Sequence, residues 1–113
     1  MVDEPQGRER RRLKRIVRRI PVTFMANGLM CEGYVKNLSK EGVFIRAASL
    51  PQPGESVPMI IKPTAVQKIE IQVTIRWTTD QYPERSPTAG FGARLELPVP
   101  DDYMELFEFV LLN

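Results

Sequence analysis

The stretch Ile69-Glu70-Ile71-Gln72-Val73-Thr74-Ile75-Arg76-Trp77 alternates apolar and polar residues along its whole length. Successive side chains of an extended chain point to opposite faces, so Ile69, Ile71, Val73, Ile75 and Trp77 are expected on one face and the polar residues on the other. One face is then buried and the other wet, which is the pattern of an antiparallel strand with a core on one side. Working outward, the segments Ile20 to Phe24, Met30 to Val35, Gly42 to Ala47, Val57 to Lys62 and Phe91 to Leu97 are also rich in β-branched and aromatic residues. Pro, Gly, Ser and Asp clusters separate them. Between the first two, Asn27-Gly28 supplies two residues that tolerate positive φ, the strongest short hairpin signal. The ten prolines suit short strands with frequent turns and disfavour long helices. About six antiparallel strands are expected. A barrel accommodates them better than an open sheet, because closure removes the edges an open sheet would have to protect.

The C-terminal end has a different period. After Pro98-Val99-Pro100, Asp102 with Glu105 resembles a capping box, and Tyr103, Leu106, Phe107, Val110 and Leu111 follow at the spacing of one helical face. A single helix over residues 101–112 is predicted to lie against the barrel or another protein. The fold class is therefore mainly β: a six-stranded antiparallel barrel over residues 20–98 with one C-terminal α-helix. At 113 residues the chain has room for one core and hardly for two.

Composition limits the chemistry. With no histidine and one cysteine, a Ser-His-Asp triad, a Cys-His pair, a histidine-bearing zinc site and an internal disulfide are all excluded. Cys31 sits within an apolar-polar alternation and reads as a small core residue, which suits a reducing cytoplasm. The longest wholly apolar run, Phe109 to Leu112, is far too short to span a bilayer, and the N-terminus lacks the apolar stretch of a signal peptide. A soluble cytoplasmic protein without membrane span, metal or cofactor is expected.

Charge is unevenly placed. Residues 1–19 hold Arg8, Arg10, Arg11, Arg12, Lys14, Arg15, Arg18 and Arg19 against Asp3, Glu4 and Glu9, a formal +5, which leaves −3 on the remainder of a chain of net +2. Clustered cations repel one another unless an anion neutralises them, so this segment's partner is expected to be anionic. Being merely a solvated arm is the alternative.

Within that segment, Arg11-Arg12-Leu13-Lys14-Arg15 places two guanidiniums four residues apart, ahead of the first strand, and Asn37-Leu38-Ser39-Lys40-Glu41-Gly42 follows the second. The pair resembles the PilZ domain, in which an R-x-x-x-R motif before the barrel and a [D/N]-x-S-x-x-G motif on an adjoining strand bind the bacterial second messenger cyclic di-GMP. Ile20-Pro21-Val22, the strand from Gly33 to Asn37, Gly42-Val43-Phe44-Ile45 and Gly90-Phe91-Gly92-Ala93-Arg94-Leu95 share the family's pattern, so the resemblance spans roughly residues 9–112. It implies a tail over residues 1–10 and a PilZ domain over 11–113, with an arginine segment at 11–19, a PilZ-like split barrel and a closing helix. It also implies a cyclic di-GMP site formed by Arg11, Arg12, Arg15, Asn37, Ser39 and Gly42, with Arg12 where some members bind a stacked pair of ligands. Arg15/Arg19 and Arg8/Arg12 share the same spacing. Register with Ile20-Pro21-Val22 favours Arg11/Arg15. Asn37 stands where the family often carries Asp; it still accepts a hydrogen bond but lacks the charge.

The residue types suit that ligand. Arginine forks onto phosphate oxygens or onto guanine O6 and N7, and its flat face stacks on a base. If the strand continues through them, Asn37 and Ser39 point to one face and reach one ligand. Gly42 is expected either to adopt a backbone conformation closed to other residues or to admit the ligand closely. The resemblance implies a receptor without catalysis. Its arginine segment, mobile when empty, folds onto the barrel with ligand and presents a new surface to an effector protein, in a pathway of motility or biofilm control.

Two other readings stand beside it. A PilZ-like interaction module without nucleotide binding is one, though the arginines argue against it. A basic-armed barrel for single-stranded nucleic acid is the other, but the arm has no aromatic residue for base stacking. Asn37 and Ser39 can also serve simply as a turn between strands. Homodimerisation is left open.

Overall fold

A computed structural model describes residues 20–81 and 88–112. The expected tail 1–10, the arginine segment 11–19 and most of the connector after Asp80 fall outside the described residues.

Six strands form: β1 Pro21–Ala26, β2 Leu29–Leu38, β3 Gly42–Arg46, β4 Ser56–Ile61, β5 Ile69–Thr78 and β6 Gly90–Leu95. Asn27 at φ 55° and Gly28 at φ 80° make the two-residue turn of the β1–β2 hairpin, with Ala26 opposite Leu29. All pairings are antiparallel, and the sheet closes in the order β1-β2-β3-β6-β5-β4, with β4 returning to β1. β6 therefore inserts between β3 and β5. The inward residues of each strand, Val22 and Phe24, Val43 and Ile45, Val57 and Met59, Ile69 to Ile75 at alternate positions, Phe91 and Ala93, form one buried cluster. Phe24 and Phe91 meet edge to face across it, with centroids 5.1 Å apart. Each such side chain contributes about 1.5–3 kcal/mol by leaving water.

Helix α1, Asp101–Leu112, lies against the barrel. It buries Tyr103 and Leu106 and partly covers Met104, Phe107 and Val110, while Leu111 stays exposed, so the apolar stripe is narrower than its sequence spacing suggests. The helix has the expected bounds, but Asp102 lies within its first turn rather than capping it. Met104 donates its N–H to the Pro100 carbonyl, and Asp101 and Asp102 occupy the first turn, where the positive end of the helix favours carboxylates.

Four further expectations are corrected. β2 runs past Val35 to Leu38, and β6 stops at Leu95 rather than Leu97, whose side chain stands in solvent. Trp77 lies on the outer face of β5, not with the core. Opposite β6, Ile75 pairs with Ala93 but Trp77 pairs with Gly92, so Arg76 is an extra residue in the ladder. Such a bulge shifts the alternation by one, which turns Trp77 outward and places Thr78 inside, 2% exposed. Cys31, opposite Phe24 on the inner face of the hairpin, is only half-buried and packs against the core.

Candidate functional site

The same device operates in β2. Val35 pairs with Ile45 of β3 and Asn37 with Phe44, leaving Lys36 as the extra residue. Without the bulge, Val35 and Asn37 would share a face. With it, Val35 is buried and Asn37 is exposed on the outer wall.

Two bulges, in the strands that flank β3 and β6, thus bring Asn37, Phe44, Gly92 and Trp77 into one row across the outside of the barrel. Phe44 stands opposite both Asn37 and Gly92, and Gly92 opposite Trp77. The Phe44 and Trp77 rings stack, with centroids 5.3 Å apart and planes 15° from parallel. Glycine makes this possible: a Cβ on Gly92 would fall on the indole Nε1 and within 2.7 Å of Cε2. The indole therefore lies flat on bare backbone.

Beside the rings the chain turns from β2 into β3, and this corner belongs to Ser39. Its Oγ accepts the N–H of Gly42 at 3.0 Å and of Glu41 at 3.3 Å and donates to the Gly42 carbonyl at 3.2 Å, while its own N–H bonds the same carbonyl at 2.9 Å. The turn role foreseen as an alternative for Ser39 is thus realised, and the hydroxyl is held at the surface by it. Asn37 differs: among the described residues its side chain has no hydrogen-bond partner, so its amide is open to solvent or ligand. Gly42 has no positive φ. Its need is closeness, since a Cβ there would strike the Ala93 carbonyl of β6. Of the two roles expected for it, an unusual backbone conformation does not occur, and the missing side chain lets β6 approach closely.

From inside, the corner is held by the helix. Tyr103 is fully buried, and its hydroxyl donates to the Ser39 carbonyl at 2.7 Å and lies 3.3 Å from that of Gly42. Burial pushes this hydroxyl well above the usual tyrosine range, so it remains a neutral donor.

Asn37, Ser39 and Gly42 line one open cleft of about 280 Å³ together with Phe44, Arg76 and Trp77. Sequence reasoning placed the first three and missed the last three. An aromatic wall, a neutral amide and hydroxyl at the rim and an exposed guanidinium suit a flat, hydrogen-bonding, anionic molecule. No group of three potential metal-ligating side chains occurs among the described residues. A family model, PilZ domain, matches residues 9–111.

The chain belongs to the PilZ domain family.

PilZ domains are regulatory binding modules, and the family is one of cyclic di-GMP receptors. Among solved structures, this PilZ domain is similar to the Bacillus subtilis inhibitor of motility (MotI/DgrA), at 19% identity and a TM-score of 0.60. The match covers 83% of this chain and 46% of that one, so the PilZ domain here corresponds to less than half of the Bacillus protein. No curated protein matches the chain. Arg11, Arg12 and Arg15 fall within the matched span but outside the described residues. No helix among the described residues is long and apolar enough to cross a membrane.

Proposed function

We propose that this PilZ domain binds cyclic di-GMP at the Asn37 to Gly42 corner and passes the signal to an effector protein in the cytoplasm, without catalysis or cofactor. The observation that carries the reading is the convergence of Asn37, Ser39 and the Trp77–Phe44 pair on one open cleft, brought about by two bulges. Asn37 meets a guanine edge with donor and acceptor together, the indole offers a face for the base, and Arg76 faces the phosphates from β5. Arg11 and Arg15, with Arg12 beside them, close over the ligand from the other side. Charge-assisted hydrogen bonds at about 1.5–3 kcal/mol each, four or five in number, supply a micromolar affinity of roughly 8 kcal/mol after ordering costs. The similar Bacillus protein is by name an inhibitor of motility, which points the search for the effector toward motility.

Calorimetric titration with cyclic di-GMP tests the assignment. The wild-type protein is expected to bind in the micromolar range, and Arg11→Ala, Arg15→Ala, Ser39→Ala and Trp77→Ala to lose about tenfold or more each, the loss of roughly 1.4 kcal/mol. Equal heats for all five proteins would reduce the signal to nonspecific charge.

A further inference from the structure

The helix and the ligand corner meet through one side chain. Tyr103 is the largest fully buried residue described, yet its ring ends in a polar group that has crossed the barrel end to reach the carbonyls of Ser39 and Gly42. Phenylalanine would fill the same volume. The hydroxyl must therefore be explained by the corner it touches.

Its position has a consequence for Ser39. The Gly42 carbonyl has three donors around it: the Ser39 N–H at 2.9 Å, the Ser39 hydroxyl at 3.2 Å and the Tyr103 hydroxyl at 3.3 Å. A carbonyl has two lone pairs. The single Tyr103 proton goes chiefly to the nearer Ser39 carbonyl at 2.7 Å, so the Ser39 N–H is the main donor to the Gly42 carbonyl. The longer bond from the Ser39 hydroxyl is thus the dispensable one, and its proton can turn outward to an acceptor in the cleft while the Ser39 N–H keeps the carbonyl satisfied. Meanwhile the Ser39 Oγ still accepts the amides of Glu41 and Gly42, so the turn does not open. The Glu41 carbonyl, between them, receives the Leu95 N–H at 2.8 Å and anchors the corner to the end of β6. Backbone ties therefore hold the corner on the barrel side, and Tyr103 alone among the described residues ties it to the helix by a side-chain hydrogen bond.

We propose that Tyr103 is a positioning residue for the ligand corner: its hydroxyl sets the Ser39–Gly42 turn so that the serine proton is free for the ligand, and it makes helix α1 sense the state of that turn. The second part rests on the cyclic di-GMP reading, whereas the first concerns the empty protein. Coupling between two sites is reciprocal, so whatever the hydroxyl does for the corner, an occupied corner does for the helix. The helix is suited to respond, because only Tyr103 and Leu106 of its residues are buried and Leu111 and Leu112 at its end are exposed.

Tyr103→Phe separates this from a packing role, with Leu106→Ala as the control that loosens the helix and keeps the hydroxyl. Amide hydrogen exchange of the ligand-free proteins is read at Ser39 and Gly42. Tyr103→Phe is expected to speed both about tenfold, and Leu106→Ala, though less stable overall, to leave their ratio to the neighbouring β3 amides unchanged. With cyclic di-GMP, the wild-type helix amides are expected to slow. In Tyr103→Phe, binding weakens about five- to twentyfold by calorimetry and the helix response is lost even at saturation. Unchanged corner amides in Tyr103→Phe, or a helix response that survives it, overturn the proposal. A wild-type protein that takes up no cyclic di-GMP sinks the receptor reading instead, and the ligand-free exchange still decides what Tyr103 does at the corner.

Discussion

At the scale of single residues, two contacts have consequences that can be measured. Gly92 lets the indole of Trp77 lie on the backbone, and the smallest possible side chain there would collide with the ring. Gly92→Ala is expected to lift Trp77 off Phe44 and cost about 1–3 kcal/mol of stability, the usual penalty of overpacking. Because Trp77 is the only tryptophan, its fluorescence reports the displacement directly, alongside the urea midpoint. An unchanged emission spectrum would mean that the ring is not seated as described. The second contact is that of Tyr103, whose hydroxyl is held neutral by burial. Its value in the folded protein lies above that in the unfolded chain, which ionises near pH 10. Its contribution is therefore complete below about pH 10 and is lost as pH rises further, toward the folded-state value. The stability gap between wild type and Tyr103→Phe should be constant to about pH 9 and shrink by about pH 11.5, as followed by urea unfolding. Residue-level chemistry was partly legible in the sequence. Asn37 and Ser39 stand out by type and spacing, whereas Gly42 gives no hint of the close strand approach that it also serves.

At the scale of elements, the strands were legible and their phase was not. Alternation located β5 from Ile69 onward, and its inner residues to Ile75 are buried as expected. The extra residue at Arg76 inverts the pattern after that point, and nothing in Ile75-Arg76-Trp77-Thr78 signals it, because a bulge is defined by the partner strand. The clue lay in β6, where glycine recurs at Gly90 and Gly92 on the face that receives the two rings. The Lys36 bulge has the same effect in β2 and offers the cleaner test. Deleting Lys36 makes the ladder regular and leaves Asn37 opposite Phe44 on the outer face. Because only the exposed extra residue is lost, the deletion is expected to change stability by less than about 0.5 kcal/mol, the level of ordinary surface changes, and to keep Asn37 at the cleft. Guanidinium unfolding checks the first effect. A loss above about 1 kcal/mol would show that Lys36 does more than fill the bulge.

At the scale of the whole molecule, closure of the barrel and the placing of charge act together. Six strands in a closed order were expected, but not the insertion of β6 between β3 and β5, since local sequence pattern carries no information about distant partners. That insertion is what brings Trp77 within reach of Asn37. It also concentrates the neutral, aromatic part of the site on a body of formal −3, so that the charge a dianionic ligand requires comes chiefly from residues 1–19, at +5. Affinity then depends on how much of that segment is present and on ionic strength. Removing residues 1–10 should weaken cyclic di-GMP binding only about two- to threefold, through the loss of Arg8 and Arg10 as long-range attraction, an effect that vanishes in salt because the Debye length falls from about 10 Å at 0.1 M to about 3 Å at 1 M. Removing residues 1–15 should abolish binding while leaving the thermal midpoint of the barrel unchanged, since Arg11, Arg12 and Arg15 then go as direct partners rather than as a distant field. Calorimetry of the two truncated proteins at low and high salt separates these contributions. If the shorter truncation already abolishes binding, the pair that grips the ligand lies earlier, at Arg8 and Arg12; if the longer one still binds, the barrel wall holds the nucleotide without the arginine motif.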